Sequence, residues 1–254
     1  MADWNPDQYE RFKRERDQPF WDLLALVRAR PGMRVADLGC GPGSLTKALH
    51  EKLGAHQTIG FDNSEAMLAR ARSLAGGGLE FAHADIARWG QPRTWDVVFS
   101  NAALHWVPNH EHLFARLARA LTLGGQLAVQ VPANFDQPTH VAANWAARDL
   151  GLSPYEHPVL TPEIYATVLD ELEFGEQHVR LQVYAHHLPS REDIVEWSKG
   201  TTLLAWRSQL SDAQWPEFVS RYRERLFAMV PDESPLFFPY KRILIWGALS
   251  PAEP

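Results

Sequence analysis

Apolar residues in the first half of the chain fall in short, dense runs separated by stretches with helical spacing. Runs at Arg34–Leu38, Gln57–Asp62, Leu79–Ala84, Trp95–Ser100 and Gln126–Val131 predict strands. Between them, Ser44–Leu53, Ser64–Leu74 and Glu111–Leu121 predict helices. In the last of these, Leu113, Leu117 and Leu121 recur at every fourth position, one stripe that can lie on a sheet. Strands alternating with helices predict a parallel α/β sheet. Pro31-Gly32, Gly76-Gly77-Gly78 and Gly124-Gly125 are expected to turn the chain.

After Pro132 the pattern changes. Residues 133–177 read as helical and loop-rich, interrupted by Pro138, Pro154, Pro158 and Pro162. A strand at His178–His186, amphipathic helices around Arg191–Gln209 and Asp212–Met229, and a final strand at Arg242–Leu249 are expected to follow. The first 30 residues mix charge with Trp4, Tyr9, Phe12, Phe20 and Trp21, and Asn5-Pro6 is a plausible helix start. The expected organisation is one domain over 1–254. Residues 31–132 form its ligand-binding half, 1–30 and 133–241 supply a lid and helical cap, and 242–249 add the last strand.

Composition narrows the function. The chain has 254 residues, 45% hydrophobic and 22% charged, as in an ordinary soluble globular protein. Its 25 Lys and Arg against 31 Asp and Glu give a net charge of −6, with no basic block to hold a nucleic-acid backbone. One Cys cannot form an internal disulfide or a thiolate cluster. The eleven His lack the four-residue spacing that puts two metal ligands on one helix face, so no metal is expected. The polar opening Met1-Ala2-Asp3-Trp4 and the short apolar runs predict a soluble, cytoplasmic protein with no membrane or obligate protein partner.

The strongest motif is Val35-Ala36-Asp37-Leu38-Gly39-Cys40-Gly41-Pro42-Gly43, a strand entering a glycine-rich turn and then a helix. Glycines at alternate positions let the backbone turn tightly and let a ligand approach. The Gly-x-Gly-x-Gly spacing differs from the dinucleotide pattern. Asp37 would oppose a pyrophosphate but suits a ligand with an ammonium and a sulfonium. Cys40 inside the loop reads as a packing residue. Asp62, with Asn63 beside it, closes the second predicted strand, where an acid can accept hydrogen bonds from ribose hydroxyls. Asp85 follows the third strand and could accept from an exocyclic amine while Ile86 packs on a base. Each Asp could instead cap a helix, but three acids at three consecutive strand ends beside a glycine loop point to one ligand.

Over roughly residues 33–131 the sequence resembles the class I S-adenosylmethionine-dependent methyltransferases. Asp37–Gly43 looks like their first motif, Asp62 like the ribose acid, Asp85-Ile86 like the adenine-side pair, and Ser100-Asn101-Ala102-Ala103-Leu104-His105-Trp106 like the fourth-strand motif. A closer resemblance, to the trans-aconitate methyltransferases, covers nearly the whole chain. It is carried by Asp3-Trp4-Asn5-Pro6, Tyr9, Phe12, Trp106-Val107-Pro108, Gln130-Val131-Pro132, Asn134, Pro138-Thr139-His140, Tyr184, His187, Trp197 and Phe238-Pro239 with the basic pair after it. The resemblance implies a Rossmann-like α/β sheet, mostly parallel with the last strand antiparallel, under a helical cap. It implies S-adenosyl-L-methionine as methyl donor, S-adenosyl-L-homocysteine as product, and a small polycarboxylic acid, trans-aconitate, as acceptor. Asp37, Gly39, Gly41, Gly43, Asp62, Asn63, Asp85, Ile86 and Asn101 would then hold the cofactor.

A carboxylate acceptor is ionised near neutral pH and needs no general base. A polycarboxylate does need cations, and Arg207, Lys241 and Arg242 are the candidates, with Tyr240 a further donor and Arg16 less favoured. His105 is the candidate catalytic group, as hydrogen-bond donor or as base for another acceptor, and Trp106 lies beside it. Trp4 and Tyr9 are candidates for a lid over the methyl group. Other readings are a different acceptor (an acyl carboxylate, a phenol or an amine), an NAD-type dehydrogenase, and a methyltransferase-like binding module without catalysis.

Overall fold

The computed structural model of the chain describes residues 13–251. In order, its main elements are α1 (Lys13–Leu24), β1 (Arg34–Leu38), α2 (Ser44–Leu53), β2 (Gln57–Asp62), α3 (Glu65–Ala71), β3 (Leu79–His83), β4 (Trp95–Asn101), α4 (His110–Ala120) and β5 (Leu121–Pro132). Then come α5 (Pro138–Asp149), α6 (Pro162–Glu171), β6 (Phe174–Leu188), α7 (Arg191–Lys199), α8 (Leu204–Arg207), α9 (Trp215–Phe227) and β7 (Leu236–Leu249). Short 3-10 turns lie at Arg72–Leu74 and Leu104–Trp106. The helix start expected at Asn5-Pro6 lies outside the described residues. Among those described, no helix is long and apolar enough to cross a membrane.

The seven strands form one sheet in the order β3-β2-β1-β4-β5-β7-β6. Strands β1 to β5 pair in parallel, and β7 runs antiparallel against β5. The chain winds outward from β1 through β2 to β3, then crosses back to place β4 on the other side of β1. In open α/β sheets, ligands bind at such a reversal, beyond the carboxyl ends of the strands.

The molecule divides into two compact units. The sheet unit comprises residues 18–132, 158–182 and 242–251 of the described chain. Its core packs Phe20, Leu23, Leu24 and Val27 against Val35, Val97, Phe99, Ala128, Leu244 and Trp246. Phe20 meets Phe99 edge-on at 5.4 Å between centroids. Gln126 is buried yet satisfied: its Oε1 accepts from the Arg28 amide (2.8 Å) and the Trp246 indole (3.2 Å), and its Nε2 donates to the Arg28 carbonyl (2.9 Å). The described part of the other unit is residues 13–17, 133–157 and 183–241. There the alanine face of α5 (Ala142, Ala143, Ala146, Ala147) shares a core with Trp197, Trp206, Phe218 and Tyr222. Small side chains let α5 and α9 approach closely.

Several expectations are corrected. Residues 18–30 and 158–182, read as cap, belong to the sheet unit because Phe20, Leu23 and Tyr165 are buried within it. Gly124-Gly125 does not end an element: β5 begins at Leu121 and passes through both glycines with a register irregularity between Trp95 and Val97. β6 and β7 begin four and six residues before the expected strands. The helix expected over Arg191–Gln209 breaks at Gly200, where a residue of low helix propensity is followed by two β-branched threonines.

Leu23 is fully buried among sheet residues. Leu23→Ala is therefore expected to lower unfolding stability by about 3 kcal/mol in urea titrations, whereas a loss below about 1 kcal/mol would return α1 to the periphery.

Candidate functional site

The glycine loop is shaped by backbone bonds and one carboxylate. The Gly39 and Cys40 amides both donate to the Phe61 carbonyl, at 2.8 and 3.0 Å, stitching the loop to the end of β2. The Gly41 amide donates to Asp62 Oδ2 at 2.9 Å, and the Ser64 amide donates to Asp62 Oδ1 at 2.8 Å. Asp62 thus holds the glycine loop and the start of α3 together. Gly39 has φ +79°, and a methyl group there would sit 2.2 Å from the Ala103 Cβ and 3.6 Å from the Ile86 side chain. Loops after β1, β3 and β4 therefore converge on this glycine. Gly41, at φ +54°, has nothing within 4 Å of where a Cβ would point, so its surface faces open space. Gly43 is the left-handed N-cap of α2 and offers no side-chain cap.

Asp37 lies beneath this loop, 5% exposed, and accepts from the Thr46 hydroxyl at 2.6 Å. Burial is the main cause that raises its carboxyl from 3.8 to about 7; the Thr46 hydrogen bond opposes the rise and the negative charge of Asp62 adds to it. Burial, with Asp37 and Asp62 nearby, also pushes the Cys40 thiol far above its usual range, which suits packing and not nucleophilic attack.

Asp85 is exposed after β3, accepts from the Ala87 amide at 2.9 Å and stands 4.0 Å from the Arg88 guanidinium. Ile86 is half-buried, with its carbonyl accepting from Arg116 at 3.1 Å. Asn63 is exposed beside Asp62. At the end of β4, the Asn101 side-chain oxygen is buried and has no hydrogen-bond partner among the described residues. Gln130, its register neighbour on β5, presents a buried amide nitrogen in the same condition. His105 and Trp106 occupy the 3-10 turn that follows, their rings 4.6 Å apart at 42°, with Trp106 48% exposed. All these residues belong to the sheet unit and lie at or just beyond the carboxyl ends of β1 to β5.

The other unit contains Arg207, Tyr240 and Lys241. Arg207 pairs with Asp212, donates to the Leu210 carbonyl at 3.1 Å and lies over the Trp215 ring. Lys241 is held by Asp136 at 2.6 and 2.8 Å, an ion pair that lowers the Asp136 carboxyl below its usual range. Asn134 brackets the Lys241 backbone, donating to its carbonyl and accepting from its amide. Tyr240 is buried in an aromatic group, 5.5 Å from Trp197 and 5.6 Å from Phe238. Arg242, in the sheet unit, is buried in β7 opposite Pro132. Trp4 and Tyr9 lie outside the described residues, as does the Arg16 side chain.

Sequence reasoning missed the residues that set these groups in place. Thr46 and Ser64 carry no motif of their own, although Ser64 stands where a helix N-cap is expected. Gln130 was legible only as part of a resemblance.

The folded Asp37 carboxyl titrates above its unfolded value. Its protonated form thus contributes stability that is complete below pH 3.8 and is lost as pH rises through about 7. Asp37→Asn keeps an acceptor for Thr46 and removes the buried charge. Its melting temperature is expected to exceed that of the parent at pH 8, by an amount equivalent to about 2 kcal/mol more than at pH 5; a gap independent of pH in calorimetry would refute the titration.

Comparison with known proteins agrees with this geometry. Residues 35–125 match a family model described as a methyltransferase domain. The chain is 40% identical over 251 residues to a trans-aconitate 2-methyltransferase of Deinococcus radiodurans, covering 95% of this chain and 96% of that one. It is 38% identical to the enzyme of that name from Shigella dysenteriae, covering 91% of each chain. Solved structures with the same fold include an S-adenosylmethionine-dependent methyltransferase from Mesorhizobium loti, at TM-score 0.52 and 21% identity over 91% of this chain and 97% of that one. A Haemonchus contortus phosphoethanolamine N-methyltransferase in complex with phosphomonomethylethanolamine and S-adenosylhomocysteine has TM-score 0.58 and 17% identity over 92% of this chain and 52% of that one. The near full-length match with the curated enzymes places this chain in the trans-aconitate 2-methyltransferase family, and so among the S-adenosylmethionine-dependent methyltransferases.

Proposed function

We propose that the protein esterifies one carboxylate of a small polycarboxylic acid, trans-aconitate being the first candidate. The observation that carries this reading is the breadth of the family match, 95% of the chain. It extends well beyond the glycine loop that methyltransferases of many acceptors share.

The residues at the strand ends suit the cofactor. Open space over Gly41 leaves room for close approach, and each Asp62 oxygen, bonded once by an amide, retains a lone pair for a hydroxyl. The unpartnered Asn101 oxygen can receive a further donor. On this reading Gly39, Gly41 and Gly43 cradle the ligand, Asp62 and Asn63 take its ribose, Asp85 and Ile86 its base, and Asp37 and Asn101 its amino-acid end. Bound S-adenosylmethionine supplies an electrophilic methyl group on a sulfonium. The charge that ligand carries answers the two acids at Asp37 and Asp62.

The chain's remaining task is placement, because an ionised carboxylate needs no proton removed before it attacks. His105 then serves as a hydrogen-bond donor that orients the acceptor, with Trp106 giving apolar surface beside it. Arg242 in the sheet unit is the cation for a further carboxylate; Arg207 and Lys241, with Tyr240 as a donor, are the candidates within the other unit. Arg207 and Lys241 each hold an internal carboxylate already, from Asp212 and Asp136, which supports their fitness for such a ligand.

The test is transfer of labelled methyl groups to a panel of di- and tricarboxylates, with phenols and amines as controls; methylation confined to the controls would reject the carboxylate assignment. Asp62→Ala is expected to weaken S-adenosylhomocysteine binding by about tenfold or more in calorimetry. Arg242→Ala should raise KM for the acid and leave cofactor affinity unchanged. An unaltered cofactor affinity in the Asp62 variant would reject the site.

A further inference from the structure

The loop between β4 and α4 is an improbable one for its sequence. Two of its non-glycine residues, Ala102 at φ +54° and Asn109 at φ +57°, sit in the left-handed region and bracket the turn that carries His105 and Trp106. Alanine is disfavoured there, and such backbone persists where the surroundings over-determine it. At one end of the loop the constraint is visible: the Ala102 amide donates to the Gln130 carbonyl at 3.0 Å, and Ala103 lies against Gly39.

At the other end stands a buried chain of hydrogen bonds. His110, 2% exposed, places Nε2 3.0 Å from the Leu104 carbonyl, and its Nδ1 is bonded to the Tyr165 hydroxyl. A carbonyl only accepts, so Nε2 carries a proton, and in the neutral imidazole Nδ1 then offers its lone pair. Tyr165 therefore donates to Nδ1, while its oxygen accepts from the Leu160 amide at 3.3 Å. Every bond then has a defined direction, from Leu160 through Tyr165 and His110 to the carbonyl next to His105. Burial also raises the Tyr165 hydroxyl far above its usual range, which keeps the proton this chain requires. The ring stack of His110, Phe114 and Tyr165 fixes the imidazole plane.

We propose that His110 and Tyr165 are positioning residues for methyl transfer: through the Leu104 carbonyl they clamp the strained 102–109 loop, so that His105 and Trp106 are held in place against the glycine loop. Segment 158–165 thereby acts on the reacting centre without touching it. The inference rests on the reading of the Leu104–Trp106 turn as the acceptor-orienting element.

The experiment compares Tyr165→Phe, His110→Leu, His110→Gln and His105→Ala in steady-state methyl transfer, with S-adenosylhomocysteine affinity measured by calorimetry. Tyr165→Phe and His110→Leu are expected to lower kcat about tenfold while cofactor affinity stays within about twofold. His110→Gln, whose amide can still donate to the Leu104 carbonyl, should recover most of that loss. Nitrogen-15 NMR of histidine-labelled protein should show the Nε2–H tautomer for His110 in the parent. Full kcat in Tyr165→Phe, a parallel fall of kcat and cofactor affinity, or no recovery in His110→Gln would each overturn the relay. Full kcat in His105→Ala would instead reject the acceptor-side reading, and the inference with it.

Discussion

One carboxylate, that of Asp62, settles the arrangement of the whole site. It takes the Gly41 amide on one oxygen and the Ser64 amide on the other, so that the glycine loop and the α3 entry share an anchor. The consequence is electrostatic as well as geometric. Asp62 stands close enough to Asp37 to raise its carboxyl further, and the partners identified for the two acids are neutral: a hydroxyl and two amides. Burial is the main cause that disfavours the charged form of Asp37, and the negative charge of Asp62 adds to it, a standing cost to the folded chain. Folding alone does not explain that arrangement. The proposed cofactor brings its own positive charge to these acids.

The second constraint is steric. Gly39 has no room for a side chain because Ala103 occupies it, and Ile86 closes the same gap from the third strand's loop. The β1 and β4 loops are thus in van der Waals register, and a displacement of one moves the other. The role proposed for the loop after β4 depends on both of its ends. The sheet edge fixes one through Gln130, and the His110 chain fixes the other.

The five parallel strands and their helices were legible in the sequence because strands buried on both faces appear as nearly unbroken apolar runs. The glycine loop and the three acids were legible because chemistry and position coincide at strand ends. What failed did so for identifiable reasons. Gly124 and Gly125 read as a turn, yet β5 absorbs them in an irregular pairing with β4. The last strand was expected from Arg242, yet β7 begins at Leu236 and runs through Pro239. Residues 18–30 look like a capping segment by their mixed charge, and only the burial of Phe20 and Leu23 assigns them to the sheet. Within the site, Thr46 lies 9 residues from Asp37 and Tyr165 lies 55 from His110. Partners brought together by the fold at such separations leave no local pattern to read.

The proposed chemistry asks little of proton transfer and much of position, and the structure is organised accordingly. His110, behind the turn that carries His105, is bonded by a carbonyl on one side and a phenol on the other. Arg207 and Lys241 are likewise held in defined orientations, one over an indole ring and both against carboxylates.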